Sequence, residues 1–245
     1  MRSRERFAVL ACVLGLAVCL GMLGCGPKEE AEPEAAPEAA EPAVPAKPGA
    51  PEIAVVRRCA AAPTIDGDLA DACWKRAKIG GVWIDPNAGG AADPHPDLYV
   101  CYDDKNIYVG VHNPEPQMQN IIADVTSRDG AVWNDDSIEV FLDPSAGKET
   151  YHQFIVNTAG VLYDAEGHES SWDSKAQVKV KKMTDGWSVE FSIPLSDLGV
   201  TGSPKGQTWT GNFCRNRLGA GEPHRWSDTG PDEHNWAAFG KLKME

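Results

Sequence analysis

Between residues 98 and 217 apolar residues recur at every second position, in short runs broken by turn-forming clusters. Leu98-Tyr99-Val100-Cys101-Tyr102 is followed by Asp103-Asp104-Lys105-Asn106 and then by Ile107-Tyr108-Val109-Gly110-Val111, the pattern of a β-hairpin. Residues 136–142 place Ile138, Val140 and Leu142 on one face and Ser137, Glu139 and Phe141 on the other. Residues 151–157 and 161–163 read as two more strands around the turn Thr158-Ala159-Gly160. Residues 177–182 alternate again, and Asp185-Gly186 turns the chain into Trp187, Val189, Phe191 and Ile193, all facing one way. Residues 209–217 form a further strand, and only 69–77 and 195–198 look helical.

Many short strands separated by turn signals predict an all-β domain, a two-sheet antiparallel β-sandwich of jelly-roll or immunoglobulin-like type with short helical turns. It spans residues 52–245, a length that suits one all-β domain. There is no dinucleotide-binding glycine pattern, no phosphate loop and no internal repeat.

The pattern changes at the N-terminus. Arg2, Arg4 and Arg6 precede a nearly unbroken apolar run over residues 7–24, which reads as an export signal. Met22-Leu23-Gly24-Cys25 resembles a lipobox, with Cys25 as the lipidated first residue after removal of residues 1–24; Met22 stands where Leu is commoner. Several acyl chains are needed for stable anchoring, and a lipoprotein carries them. The alternative is an uncleaved membrane anchor, which the length of the run permits. Residues 25–51 are built from Pro, Ala and Glu without an aromatic residue, too little apolar surface to fold, and so read as an extended, disordered tether. The expectation is an exported domain, lipid-anchored to the cell envelope, at the outer membrane or the cell surface.

The formal charge of the chain is −13, and losing Arg2, Arg4, Arg6 and Glu5 with the leader makes the remainder more acidic still. Nucleic acid is excluded as a partner on that ground. Four cysteines remain beyond Cys25, and an exported protein can bridge them. Of three pairings, Cys59–Cys73 and Cys101–Cys214 are favoured: the first flanks one turn, the second sits in two strand-like runs that could equally hold buried free thiols.

One ordered series of blocks goes further. Ile65-Asp66-Gly67-Asp68-Leu69 with Trp74, Tyr102-Asp103-Asp104 with Ile107-Tyr108-Val109, and residues 133–143 (WNDDSIEVFLD) come first. Tyr151-His152-Gln153-Phe154 with Asn157, Gly186-Trp187-Ser188-Val189-Glu190-Phe191 with Ile193-Pro194, Asn212-Phe213-Cys214-Arg215, Trp226-Ser227 and Phe239-Gly240-Lys241-Leu242 follow. The series resembles the family 9 carbohydrate-binding modules and covers nearly all of residues 53–243. The resemblance implies a sandwich that holds sugar between aromatic rings, does no chemistry of its own, and carries structural calcium. It implies Trp133 and Glu139 as the aromatic and acid of the central block, and Trp226 as the second half of an aromatic clamp. It also implies sugar contacts from Tyr151, Gln153 and Asn157. His234-Asn235-Trp236 departs from the family, which often has proline ahead of the final Phe-Gly.

The chemistry suits a sugar: tryptophan covers an apolar pyranose face, and carboxylates and amides bond its hydroxyls. Spacing adds a condition. In one straight strand Trp133 and Glu139 would lie about 20 Å apart, too far to touch one ring. Trp133 must therefore sit on a loop that folds back before the strand begins, and Gly130 and Asn134-Asp135 permit the turn. Trp74, Trp187 and Trp209 lie in apolar patterns and are expected in the core; Trp83, Trp172 and Trp236 carry no assignment. Arg215 is expected in an ion pair. No calcium loop of regular spacing is present, so no metal site is named.

Three rival functions have weaker support. Glycoside hydrolysis needs two carboxylates about 5–10 Å apart, and Asp135 and Glu139 in an extended strand would be about 13 Å apart. Haem binding by a sandwich relative would use Met118, Met183, His112 or His152, without an attachment motif. A plain adhesion or assembly module would use the sandwich as a surface only.

Overall fold

The computed structural model describes residues 49–147 and 150–245; the leader, Cys25 and the tether up to residue 48 lie outside the described residues. The chain joins the domain at Gly49, whose backbone exchanges hydrogen bonds with Val82 at 2.7 and 3.1 Å. Thirteen strands follow. They are β1 (Ala54–Arg58), β2 (Ile84–Asp85), β3 (Gly90–Ala91), β4 (Asp97–Tyr102), β5 (Asn106–Pro114), β6 (Ser137–Asp143) and β7 (His152–Asn157). Then come β8 (Leu162–Glu166), β9 (Gln177–Lys182), β10 (Gly186–Pro194), β11 (Thr208–Arg217), β12 (Glu222–Arg225) and β13 (Gly240–Met244). Helical structure among the described residues is limited to 3-10 turns, including Trp74–Arg76 and Val132–Asn134. Residues 69–73 and 195–198 form turns rather than helix.

Two sheets face each other. One runs β1-β4-β5-β10-β9. The other runs β8-β7-β6-β11, and the far edge of β11 is shared: Thr208–Gly211 pair with β13, Cys214–Arg217 with β12, which leads on to β2 and β3. Pairing is antiparallel except at β1, which runs parallel to both its partners. Its first half pairs with β13 and its second half with β4, so it stitches the two sheets together.

The alternating apolar rows meet between the sheets. Val109, Val111, Val189, Phe191 and Ile193 come from one side and Ile138, Val140, Leu142, Phe154 and Phe213 from the other. Trp74, Trp187 and Trp209 are buried as the pattern predicts. Glu190 points away from that core yet is fully buried, because residues 65–77 fold over the outer face of β10. Its carboxylate accepts from Asp66 N (2.9 Å), Gly67 N (2.7 Å) and Trp74 Nε1 (2.8 Å). Gly67 is required there: its φ is +91°, and a Cβ would meet Lys181 N at 2.8 Å.

Arg215 and Arg217 face the inner side of β11 at the end of the core. Both bind the buried Glu115, at 2.9 and 2.6 Å. This confirms an ion pair for Arg215, and the Arg217 hydrogen bond holds the Glu115 carboxyl below its ordinary value. The expected disulfides are corrected. All four described cysteines are free thiols. Cys101 lies in β4 beside Cys59 and Cys73, whereas Cys214 lies in β11 on the other sheet, packed with Phe141 and Tyr151. Cys59 and Cys73 are not bonded to each other either, and both share a cluster with Cys101.

Candidate functional site

A cavity of about 400 Å³ opens over the outer face of the β8-β7-β6-β11 sheet. Its floor is made by three side chains from three adjacent strands. Glu139 (β6) accepts from Gln153 Nε2 (β7) at 2.9 Å through one oxygen and from Asn216 Nδ2 (β11) at 2.6 Å through the other. The register explains the meeting: Phe141 is opposite Gln153 and Ser137 opposite Asn216, which places each amide diagonal to Glu139 on the same face. Glu139 is 6% exposed. Burial raises its carboxyl above the ordinary value, while the Asn216 and Gln153 donors pull it down. With a donor on each oxygen, Glu139 is built as an acceptor.

Trp133 forms one wall. It sits in the 3-10 turn Val132–Asn134 and not in β6, as the spacing argument requires, and it is 46% exposed. The turn is pinned from below. Val132 is fully buried; Asp135 accepts from Asp124 N, Val125 N and Asn157 Nδ2 at 2.8–3.0 Å; Asp136 accepts from Ile122 N at 2.8 Å. Tyr163 of β8 stands beside the indole. The opposite wall is a pair of imidazoles, His168 and His234, with ring centroids 4.7 Å apart and planes 33° from parallel. Burial and the neighbouring His168 lower the His234 pKa. Glu233 reaches the rim, where its carboxylate is held by Arg225. Past the two imidazoles a second, open basin of about 680 Å³ continues towards Trp236 and Asp232.

Three of the sequence expectations meet here: Trp133, Glu139 and Gln153. The other three are placed differently. Trp226 is in the core at 1% exposure, its Nε1 donating to Gly80 O at 2.8 Å and its ring set edge-on to Phe213. Gly81 and Gly240 press on it so closely that a Cβ on either would come within 2.5 Å of the indole. The aromatic clamp with Trp226 is therefore corrected. Asn157 is fully buried and structural: it donates to Val125 O and Asp135 and accepts from Ala159 N and Val161 N. Tyr151 lies beneath the imidazole wall, its hydroxyl 2.7 Å from His234 Nδ1, and lines the second basin rather than the first. Sequence reasoning did not assign Asn216, Tyr163, His168, Glu233 or His234 to the site. Asn216 was open to discovery as the outward partner of Cys214 in an alternating strand; the others needed the fold.

The rival readings can be placed as well. His112 and His152 lie on different sheets, in β5 and β7, and His152 packs against Trp172 with centroids 4.9 Å apart and planes tilted by 51°. For calcium, the described residues hold one gathered acidic group, Asp129, Asp164 and Asp173. Arg128 already supplies its cation, donating to both Asp164 oxygens at 2.8–2.9 Å. The group does not fit a calcium site while that guanidinium is in place.

The described domain is similar to solved modules. A family 9 carbohydrate-binding module from Caldicellulosiruptor kristjanssonii, in complex with cellotriose, superposes with a TM-score of 0.58 at 20% identity, covering 79% of this chain and 93% of that one. The same organism's module in complex with glucose gives 0.58 at 19%, over 78% and 95%. A protein of Bacteroides uniformis ATCC 8492 gives 0.62 at 20%, over 79% and 99%. No curated protein matches the chain. Residues 65–245 match the family model described as carbohydrate family 9 binding domain-like, and the chain belongs to that family.

Proposed function

We propose that the domain is a non-catalytic sugar-binding module whose site is the cavity over Glu139. The observation that carries this reading is the pairing of one exposed indole, Trp133, with a pre-bonded polar floor of Glu139, Gln153 and Asn216. A pyranose laid against Trp133 loses its apolar face from water and turns its hydroxyls to Glu139 and the amides. The cavity has room for one or two sugar units and is closed on one side by the imidazoles, so a chain enters by its end. The Caldicellulosiruptor modules, bound to glucose and cellotriose, make β-linked glucose the first class to try.

Glu233 raises the question of catalysis, because it shares the cavity with Glu139. Both carboxylates are committed elsewhere: Glu139 accepts an amide on each oxygen, and Glu233 is held by Arg225. A glycosidase acid must present a proton to the leaving oxygen, and here both Glu139 oxygens already accept from amides while Glu233 is held against a guanidinium.

Calorimetry with glucose, cellobiose and cellotriose tests the reading, on wild type, Trp133→Ala and Glu139→Gln. Saturable binding lost in both variants, with no sugar cleaved over hours, is the expected result. Binding unaffected by either substitution would move the site; cleavage abolished by Glu233→Gln would make the domain an enzyme. The leader would export this module, and a lipidated Cys25 would then hold it on the cell envelope. Fatty-acid labelling of the protein, lost in Cys25→Ser, is the corresponding test.

A further inference from the structure

Three cysteines converge on the far side of the domain from the sugar cavity's floor strands. Cys59 follows β1, Cys73 precedes the turn at Trp74–Arg76, and Cys101 lies within β4. Parallel pairing sets Arg57 opposite Cys101 and Arg58 opposite Tyr102, and Cys59 N donates to Tyr102 O at 2.8 Å. Val100 N donates to Ala77 O at 2.8 Å, which draws the 73–77 segment across the same strand. The three side chains share one small cluster with Trp74, Ala77 and Tyr108, and all line a cavity of about 290 Å³. Cys59 and Cys101 are buried; Cys73 is half-buried.

The three sulfurs are not arranged for a metal. Among the described residues the one group of such ligands gathered within 4.8 Å is the aspartate trio, so at least one gap between these sulfurs is wider. Cys101 lies on β4, the strand that both the end of β1 leading to Cys59 and the 73–77 segment adjoin. Cys101 is the middle member of a row. Arg57, Arg58 and Arg76 line the same cavity with Asp71, and Arg58 is paired with Asp104, which leaves a small excess of positive charge at its mouth.

We propose that Cys59, Cys73 and Cys101 form a thiol–disulfide exchange site that accepts a small anionic disulfide and closes a bond at Cys101. Cys73, the most accessible, gives up its proton and attacks one sulfur of the external disulfide. The first thiolate leaves, takes up that proton, and a mixed disulfide remains on Cys73. Cys101 then gives up its proton, attacks the Cys73 sulfur and expels the second thiol. Two cysteine thiols are oxidised, one disulfide is reduced to two thiols, and no other oxidant is consumed. Attack of Cys59 on Cys101 passes the bond along the row and frees Cys73. Burial holds the Cys73 thiol up at about 11, so exchange quickens as the pH rises.

The test uses the full chain, reduced, freed of reductant and incubated with glutathione disulfide, then alkylated and mapped by peptide mass. The expected product is a bridge from Cys101 to Cys73 or Cys59, with the third thiol alkylated. Cystamine, a cationic disulfide, is expected to react several-fold more slowly. Cys101→Ser, shown folded by circular dichroism, should stop at the mixed disulfide on Cys73, and Cys214→Ser should exchange like wild type. A direct Cys59–Cys73 bridge, a bridge to Cys214, equal rates with cystamine, or no bridge at all overturns the proposal.

Discussion

The indole of Trp133 and the ring of Tyr163 stand nearly perpendicular, with centroids 5.2 Å apart and planes 85° from parallel. Tyr163 thus braces the indole, and Trp133, 46% exposed, keeps ring surface open to the cavity. Because the turn carrying Trp133 is pinned through Val132, Asp135 and Asp136 rather than through the indole, the wall exists before any ligand arrives. A preformed wall spares the ordering cost that a mobile side chain would add on binding.

Trp133→Ala is therefore expected to weaken sugar binding by roughly tenfold to a hundredfold, the scale of losing one stacked aromatic face, with the melting temperature within a degree or so of wild type. Tyr163→Phe keeps the buttress and should bind like wild type, while Tyr163→Ala should fall between. Titration calorimetry paired with thermal scans separates these. A Trp133→Ala protein that binds normally would remove the indole from the site.

Glu139 makes binding pH-dependent. Its carboxyl titrates above the ordinary glutamate value, because burial penalises the charge more than the Asn216 and Gln153 donors relieve it. As the pH falls through that raised value the carboxylate takes a proton and stops accepting from a sugar hydroxyl. Affinity should accordingly drop on acidification, starting above the pH at which an exposed glutamate titrates. The sign for folding is opposite: the folded state binds this proton more tightly than the unfolded chain, so protonating Glu139 does not itself destabilise the domain. Glu139→Gln should bind roughly tenfold or more weakly at neutral pH and show no such acid drop. An unchanged pH profile in that variant would assign the titration to another group, with His234 next in line.

Strands bounded by turn residues were legible in the sequence because period-two alternation and burial coincide there. The run at residues 177–182 matches β9 to the residue, and Trp133 was placed on a loop by nothing more than its separation from Glu139. Trp226 was misread because the resemblance alone assigned it, and its polar neighbours Arg225 and Ser227 gave no sign of burial. What buries it comes from far along the chain, Gly80 and Gly81 on one side and Gly240 on the other. Asn157 was misread for a related reason: a polar residue at a strand end looks like a ligand contact, and only the fold shows all its hydrogen bonds spent on the backbone and Asp135. The imidazole wall was illegible because His168 and His234 are brought together by two separate loops.

Trp226→Ala should behave as a core truncation. With the indole 1% exposed, the expected loss is about 3–5 kcal/mol of stability, read by chemical denaturation. Whatever fraction stays folded should bind sugar with near wild-type affinity. A selective loss of affinity with stability intact would restore Trp226 to the site.

The aspartate group around Arg128 makes a prediction about metal. If the guanidinium serves as the cation, chelation should leave the melting temperature of the wild-type protein unchanged. Arg128→Ala leaves Asp129, Asp164 and Asp173 without that charge and should melt lower, then recover by several degrees in millimolar calcium. Differential scanning calorimetry with and without chelator decides it. A wild-type protein that melts earlier in chelator holds calcium with Arg128 in place.

His224 sets an acid limit on the fold. It is 1% exposed in β12, and neither ring nitrogen has a hydrogen-bond partner among the described residues. Burial, with Arg215 and Arg217 beside it, lowers its pKa to about 4; Asp85 and Glu115 act the other way without prevailing. The unfolded chain takes up this proton near the ordinary histidine value of about 6.5, so between the two values it binds more protons than the folded domain does. The His224 contribution is therefore fully present above about 6.5 and is lost as the pH falls towards about 4, roughly 3 kcal/mol at most. Urea denaturation at a series of pH values should show this slope in wild type. His224→Leu, which leaves no buried polar atom behind, should flatten it across the same window. A variant that keeps the full slope would place the acid sensitivity in the Glu115–Arg215–Arg217 cluster instead, where a lowered carboxylate pKa also costs stability on acidification but at a lower pH.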